Sequence, residues 1–387
     1  MQRLAIITTH PIQYNAPWFK LLNERGIISL KVFYTWGEGA MQKKYDPGFN
    51  QSIAWDIPLL DGYNYTFVKN IAAVPGSHHY GGIDNPTLVK EIEEWLPTAI
   101  LVIGWKFKSH LKVLRHFKGS KKLLFRGDSH LLDEAPGFGI RKTARQICLS
   151  WVYSYVDLAM YVGTANKQYY LAYGLKKSQL VFAPHAVDNN RFGQQACSRQ
   201  RDGTEAANDT IVFIFVGKFE PKKNPQLLLD AFIKLADNRA RLLMVGSGEL
   251  EHKLKLKASQ QPADVRGRIR FLPFQNQQQI PGVYKSADVF VLPSQGPGES
   301  WGLAVNEAMA CSKAVLVSDK CGCAADLVVD GANGYVFKSG DVGHLLEKMK
   351  LMMASRNQVI QMGRHSLQAI APWSFNNICN AIEQCLP

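Results

Sequence analysis

A chain of 387 residues exceeds what one ordinary hydrophobic core organises, so two domains are expected. With 46% hydrophobic and 20% charged residues it is neither disordered nor fibrous, and it lacks the run of about eighteen apolar residues that a membrane-spanning helix needs. The net charge of +13 favours acidic or phosphate-bearing partners, but no nucleic-acid-binding motif accompanies it, so nucleic acid is not an expected partner.

The start, MQRLAIITTHPIQYN, reads as a first strand (3–9) and not as a leader peptide. APWFKLLNERG (16–26) follows as a helix, with Asn15 as its cap, Pro17 in its first turn and Gly26 beyond its end. Further strands are expected at 28–36, 98–104, 121–127, 157–163 and 179–184, separated by helical patterns. Residues 105–122, WKFKSHLKVLRHFKGSKK, hold seven Lys and Arg and no acid, with Phe107, Leu111, Leu114 and Phe117 at helical spacing. Such a helix suits an anionic membrane surface, or is simply a solvated basic face. The polar stretch 193–209 is the linker candidate, and strand–helix alternation restarts at 210–217, 241–248, 268–274, 288–294 and 313–319. Alternation of this kind predicts two α/β, doubly wound parallel sheets, with ligands at the carboxyl ends of the strands and a cleft between the domains. The expected division is 1–190 and 210–370, with a last helix at about 373–387.

Seven cysteines at irregular spacing, including one isolated C-x-C (Cys321, Cys323), suggest reduced thiols in a cytoplasmic protein and no zinc site. VGKFEPKKNP places Lys218, Lys222 and Lys223 in one loop after a strand, which suits a diphosphate, although a solvated turn has the same composition. The turn GSGE, beginning at Gly246, offers backbone amides at a helix start. In PGESWGLAVNEAMA (297–310), Glu299 belongs to a loop expected to face the cleft. Ser300 is a candidate cap for a helix starting near Trp301 and Gly302, and Glu307 falls inside that helix. One carboxylate near a phosphate-binding helix end and another roughly 7–8 Å along the helix suit the sugar hydroxyls and the ribose diol of a nucleotide-sugar.

The Glu299-x7-Glu307 spacing, the Pro-Ser before it, Glu-Ala-Met-Ala (307–310), DGANGYVFKSGD (330–341) and VGKFEPKKN together resemble the retaining GT-B glycosyltransferases of family 4, the glycosyl transferases group 1. The resemblance covers roughly residues 210–345. It implies the GT-B fold: an amino-terminal acceptor domain, a carboxyl-terminal donor domain, and a last helix that packs back on the first. It implies that Lys218 and Lys223 bind the donor diphosphate, that Glu307 holds the ribose and that Glu299 contacts the transferred sugar. Ser300, Gly302, Leu303, Gly246 and Phe274 would complete the donor site, Phe274 lining the base. Lys218 stands where the family has arginine, Asn224 where glycine is common, and CGCAAD with Asp326 where a Gly-Gly and Glu pattern is usual. In the first domain, His10, Gln13, Tyr14 and Asn15 are candidate acceptor groups, replacing the family's glycine-rich loop. Either Asp128 or His130 would lie by the transferred sugar, and His185 reads as structural. The implied reaction is retaining, metal-independent transfer from a nucleoside-diphosphate sugar, with uridine diphosphate the commonest base, to a saccharide or lipid-linked saccharide. Surface polysaccharide assembly and a peripheral place at the inner membrane face, through 105–122, would follow. A nucleotide-sugar epimerase of the same fold and a non-catalytic binder of anionic polymer are the alternatives.

Overall fold

A computed structural model of the chain describes residues 2–38, 44–46, 48–49, 51–134, 139–194 and 209–386. The linker candidate and Cys197 fall largely outside them. The chain forms two compact units, one comprising residues 1–44, 58–185 and 375–387, the other 45–57 and 186–374.

In the first unit, β1 (Gln2–Thr8), β2 (Ile28–Tyr34), β5 (Asn64–Phe67), β6 (Ala99–Ile103), β7 (Lys122–Arg126), β8 (Leu158–Tyr161) and β9 (Leu180–Phe182) form a parallel sheet ordered β5-β2-β1-β6-β7-β8-β9. In the second, β10 (Ile211–Val216), β11 (Ala240–Val245), β12 (Ile269–Leu272), β13 (Val289–Leu292), β14 (Ala314–Ser318) and β15 (Gly334–Phe337) are ordered β12-β11-β10-β13-β14-β15. Helices cover both faces, so the central strands are apolar along their whole length instead of alternating: AVLVS of β14 is buried throughout. The strand order reverses between β1 and β6 in one sheet and between β10 and β13 in the other. At such a reversal the two flanking loops diverge and leave a crevice for a ligand. That topology sets which loops matter: those after β1 and β6, and those after β10 and β13.

Four details differ from the sequence reading. Asn15 stands at the helix start without capping it; its side chain accepts from the Trp18 indole at 3.3 Å. Residues 45–57, including β4 (Gln51–Ile53) and all but the first residue of its partner strand β3 (Lys44–Asp46), join the second unit rather than the first. The expected linker is entered late, because Asn189–Gln194 is helical. The apolar side of the basic helix Lys108–Phe117 is turned into the first unit: Leu111, Val113, Leu114 and Phe117 are buried. Two of its region's lysines are paired with acids, Lys108 with Asp84 at 2.6 Å and Lys118 with Asp157 at 2.9 Å, and the His116 ring lies 2.8 Å from Glu93. Among the described residues no helix is long and apolar enough to cross a membrane. The last helix, Phe375–Cys385, lies on Ala16–Glu24, where Arg25 donates to Glu383 at 3.0 Å and to Asn380 at 2.8 Å.

His110 ties the loop after β6 to β2's end. Its Nδ1 lies 2.7 Å from the Gly104 carbonyl and its Nε2 2.8 Å from the Thr35 hydroxyl. Complete burial holds its pKa down to about 4, against an ordinary value of 6.5. A depressed histidine is neutral in the fold and charges more readily in the unfolded chain. Its contribution, about 3 kcal/mol, is therefore full above about pH 6.5 and is lost as pH falls toward 4. Urea denaturation at pH 7 and pH 4.5 checks this: His110→Gln should lose much less stability across that interval than the wild type. An unchanged loss would assign the acid sensitivity elsewhere.

Candidate functional site

The reversal in the second sheet brings two loops together because β10 and β13 are hydrogen-bonded neighbours, Ile214 facing Phe290. After β10 the chain passes Lys218 and makes a short turn at Pro221–Lys223. Asn224 then enters the helix Pro225–Lys234 in the left-handed conformation, φ 49°. This explains the departure from glycine at 224, since asparagine tolerates that conformation best among residues with a side chain. After β13 the loop runs through Glu299 to the helix Leu303–Ala310.

Lys223 and Glu299 meet across these loops. The Lys223 ammonium donates to Glu299 Oε2, and the Ser294 hydroxyl donates to the same oxygen at 2.8 Å. Both charged side chains are largely buried, 18% and 8% exposed, so Glu299 is not the open loop carboxylate that its sequence context suggests. Burial opposes the charge on Lys223, but the Glu299 carboxylate outweighs it and holds the lysine above its ordinary pKa. Lys218 is held by the Asp46 carboxylate at 2.8 and 3.0 Å. Lys222 lies 3.5 Å from Glu220.

The helix after Glu299 starts later than the sequence suggests. Gly302, at φ 99°, takes the cap position, and Ser300 lies before it without that role. A Cβ at Gly302 would come within 2.9 Å of Leu292 Cδ2. Gly302→Ala should cost about 1–2 kcal/mol through strain and overpacking, a fall of roughly 2–4 °C in Tm for a chain of this size. A thermal melt with no shift would remove the steric reason for glycine. Glu307, fifth in the helix, is buried at 4% exposure and accepts from the Tyr284 hydroxyl at 2.9 Å. A solvated helix-face carboxylate is thereby excluded. Trp301 donates its indole N–H to Asn306 at 2.8 Å and packs on Trp373, which fixes the helix entry. Gly246 opens the turn after β11, and Phe274, just past β12, packs edge-on against Phe49 with centroids 4.7 Å apart.

The first unit carries its own polar cluster. The loop after β1 holds His10, Gln13, Tyr14 and Asn15. His10 Nδ1 is 2.9 Å from the Thr9 hydroxyl, and its ring meets Trp36 edge-on at 5.0 Å. Beyond β7, the buried Arg126 guanidinium donates to the Ala183 and Pro184 carbonyls at 2.7 and 2.8 Å, which fixes the end of β9 beside it. Burial lowers its pKa to about 10, so it stays charged. This brings His185 within 3.6 Å of Asp128, a pairing the sequence did not reveal because the two are far apart in the chain. Burial lowers the pKa of His185, against the pull of Asp128. His130 is buried, and its Nδ1 accepts from the Leu132 amide at 3.2 Å. An aromatic-walled hollow of about 480 Å³ opens beside Asp128, lined by Trp105, Phe107, Tyr153 and Tyr170, with Arg145 among its polar groups.

Residues 198–367 match the family described as Glycosyl transferases group 1. The chain is 32% identical over 195 residues to the D-inositol 3-phosphate glycosyltransferase of Geodermatophilus obscurus, covering 48% of this chain and 42% of that protein. It is 30% identical over 212 residues to the Nocardia farcinica protein of the same name, covering 52% and 46%. The matched stretch is thus less than half of either relative's length. Among solved structures, sucrose-phosphate synthase from Thermosynechococcus elongatus superposes with a TM-score of 0.73 at 17% identity, covering 99% of this chain and 98% of that one. Anabaena Alr3699/HepE in complex with UDP superposes with a TM-score of 0.72 at 17% identity, covering 99% of each. At such identities the likeness concerns the fold: two Rossmann-like units of the GT-B type.

Proposed function

We propose, for a chain whose residues 198–367 match the glycosyl transferases group 1, transfer of a sugar from a nucleoside-diphosphate sugar to an acceptor hydroxyl with retention of configuration. The observation that carries the reading is the meeting of Lys223 with Glu299 where the second sheet reverses. Lys218 and Lys223 come from the β10 side, Glu299 and Glu307 from the β13 side. Two ammonium groups and the positive end of the helix Leu303–Ala310 suit a diphosphate that gains charge as its bond to the sugar breaks. These cations carry the charge without a metal. Glu307 takes the ribose hydroxyls, and Glu299 the hydroxyls of the transferred sugar. Phe274 lines the base, with Gly246, Ser300, Gly302 and Leu303 around the phosphates. UDP is the first nucleotide to try, being the ligand in the Anabaena complex. As the anomeric C–O bond breaks, the acceptor oxygen bonds to the same face of that carbon, and its proton passes to the departing phosphate oxygen. The family match favours this transfer over the epimerase and polymer-binding alternatives.

In the first unit, His10, Gln13, Tyr14 and Asn15 bind the acceptor. Asp128, oriented by His185, is this unit's candidate for a sugar contact, with His130 supporting the loop. The aromatic hollow beside Asp128 suits a saccharide ring or the first carbons of a lipid carrier. Lipid-linked acceptors of surface polysaccharide assembly fit a protein peripheral to the inner membrane face. There the contact is electrostatic, through the exposed Lys106, Lys112 and Arg115, with exposed Ile147 and Trp151 of the neighbouring helix Ile140–Tyr153 adding apolar area. Co-sedimentation should show binding to vesicles rich in anionic lipid, reduced several-fold by Lys112→Glu with Arg115→Glu. Equal binding to zwitterionic vesicles would refute the electrostatic contact.

The functional test follows donor turnover by proton NMR across a panel of nucleotide-sugars and saccharide acceptors, with EDTA present. The expected result is release of one nucleoside diphosphate and a product with the donor's anomeric configuration. Inverted product, or loss of turnover on chelation, would contradict the mechanism.

A further inference from the structure

Within the second unit, residues 45–57 touch two residues of the proposed donor site, Lys218 and Phe274. The Lys218 ammonium donates to both oxygens of Asp46, at 2.8 and 3.0 Å. The Gly48 and Phe49 amides donate to Asp46 Oδ1, at 2.8 and 3.1 Å, and so orient the carboxylate. The Phe49 ring sits edge-on to Phe274 with centroids 4.7 Å apart, and Lys218 Nζ lies 5.1 Å from the Phe49 centroid. Backbone anchors on either side fix the segment. Ser247 donates to the Phe49 carbonyl at 2.7 Å, Asn276 to the Ala54 carbonyl at 2.7 Å, and the Gln278 amide to the Asp56 carboxylate at 3.2 Å. The approach is close enough to need glycine at 248, where a Cβ would lie 2.7 Å from the Gly48 carbonyl oxygen.

Lys218 and Phe274 are groups assigned above to the donor's diphosphate and base. The segment offers them the same two chemistries, an anionic oxygen pair for the ammonium and an aromatic ring against the Phe274 ring. We propose that residues 45–57 form an internal competitor for the donor site, with Asp46 in the place of the diphosphate and Phe49 in the place of the base. The inference rests on the donor-site reading. A nucleoside diphosphate carries more charge than one carboxylate and displaces Asp46, but its apparent affinity is lowered by the fraction of molecules in which the segment is seated. The segment therefore sets the donor concentration at which the enzyme fills.

Calorimetric titration of UDP, GDP and ADP into the full chain tests this, comparing the wild type with Asp46→Asn, Phe49→Ala and the double variant. Asparagine keeps the acceptor oxygen for the Gly48 and Phe49 amides while removing the charge, so the local turn is preserved. The expected result is tighter binding of the same nucleotide, about three- to tenfold in each single variant and more in the double. In a Lys218→Ala background the Asp46→Asn gain should vanish, because the competition is for that ammonium. Wild-type binding that is unchanged or weakened by both substitutions would overturn the inference, making the segment a supporting wall, while leaving the donor site intact. Absence of binding in every form would overturn the donor site and this inference together.

Discussion

Lys223→Ala is expected to lower turnover by about a hundred- to a thousandfold, the scale on which losing one preorganised charge-stabilising group acts. The lysine stands where the second sheet reverses, largely buried, with its ammonium on Glu299. Its removal has two consequences that a single assay confounds. On the proposed mechanism the departing diphosphate loses a cation, and Glu299 is left as a buried carboxylate with the Ser294 hydroxyl at 2.8 Å. Breaking one side of a buried pair costs about 3 kcal/mol, so Tm should also fall. Lys223→Met combined with Glu299→Gln separates the effects. The double variant carries no buried charge at this position and should recover most of the lost Tm while remaining inactive. Recovery of activity with Tm would show that Lys223 serves the fold and not the reaction.

Glu307→Gln should weaken binding of the nucleoside diphosphate by about ten- to a hundredfold, with little change in Tm. Glutamine is the same size and still accepts from the Tyr284 hydroxyl, so the buried position keeps its partner. What it loses is the negative charge proposed to hold the ribose, and charge-assisted hydrogen bonds contribute about 1.5–3 kcal/mol each. Tyr284→Phe tests the support behind the carboxylate and should weaken binding only a few-fold, since it removes one hydrogen bond to Glu307 without removing its charge. The same calorimetric titration reads both. A larger loss in Tyr284→Phe than in Glu307→Gln would place the nucleotide contact on the tyrosine.

The parts of this arrangement visible in the sequence are those that depend on local pattern. β10, β11, β13 and β14 are apolar runs closed by Gly, Pro or Ser, and buried parallel strands need no more than that to be recognised. Glu299 and Glu307 stand out because their spacing survives any uncertainty in helix boundaries. The start of that helix was harder to place. Ser300 has the chemistry of a cap, yet the left-handed Gly302 takes the position, because backbone conformation decides a cap before side-chain chemistry does. Strand order was beyond reach, since nothing local in β10 or β13 says that they are neighbours. The meeting of Lys223 with Glu299 therefore had to come from the structure.

Long-range pairings were invisible for the same reason. Asp128 and His185 meet because Arg126 fixes the end of β9 through two carbonyls, and neither residue's surroundings in the chain hint at the other. Residues 45–57 gave no periodic signal, and their attachment to the second unit rests on Lys218, Ser247, Asn276 and Gln278, all remote in sequence. The basic stretch 105–122 shows the opposite difficulty. Its amphipathic pattern was legible, but the pattern cannot say what its apolar side faces. That side is core, and only the charged side remains for a partner.

The central claim is that the loops after β10 and β13 form a nucleoside-diphosphate site. Its most direct test is calorimetric titration of UDP, GDP and ADP into the wild type in EDTA, repeated with Glu307→Gln and Lys223→Met/Glu299→Gln. The account predicts saturable one-site binding of one of these nucleotides, weakened by at least tenfold in both variants while each remains folded. Binding unaffected by either substitution, or none in the folded wild type and none when Asp46 and Phe49 are replaced, would contradict it.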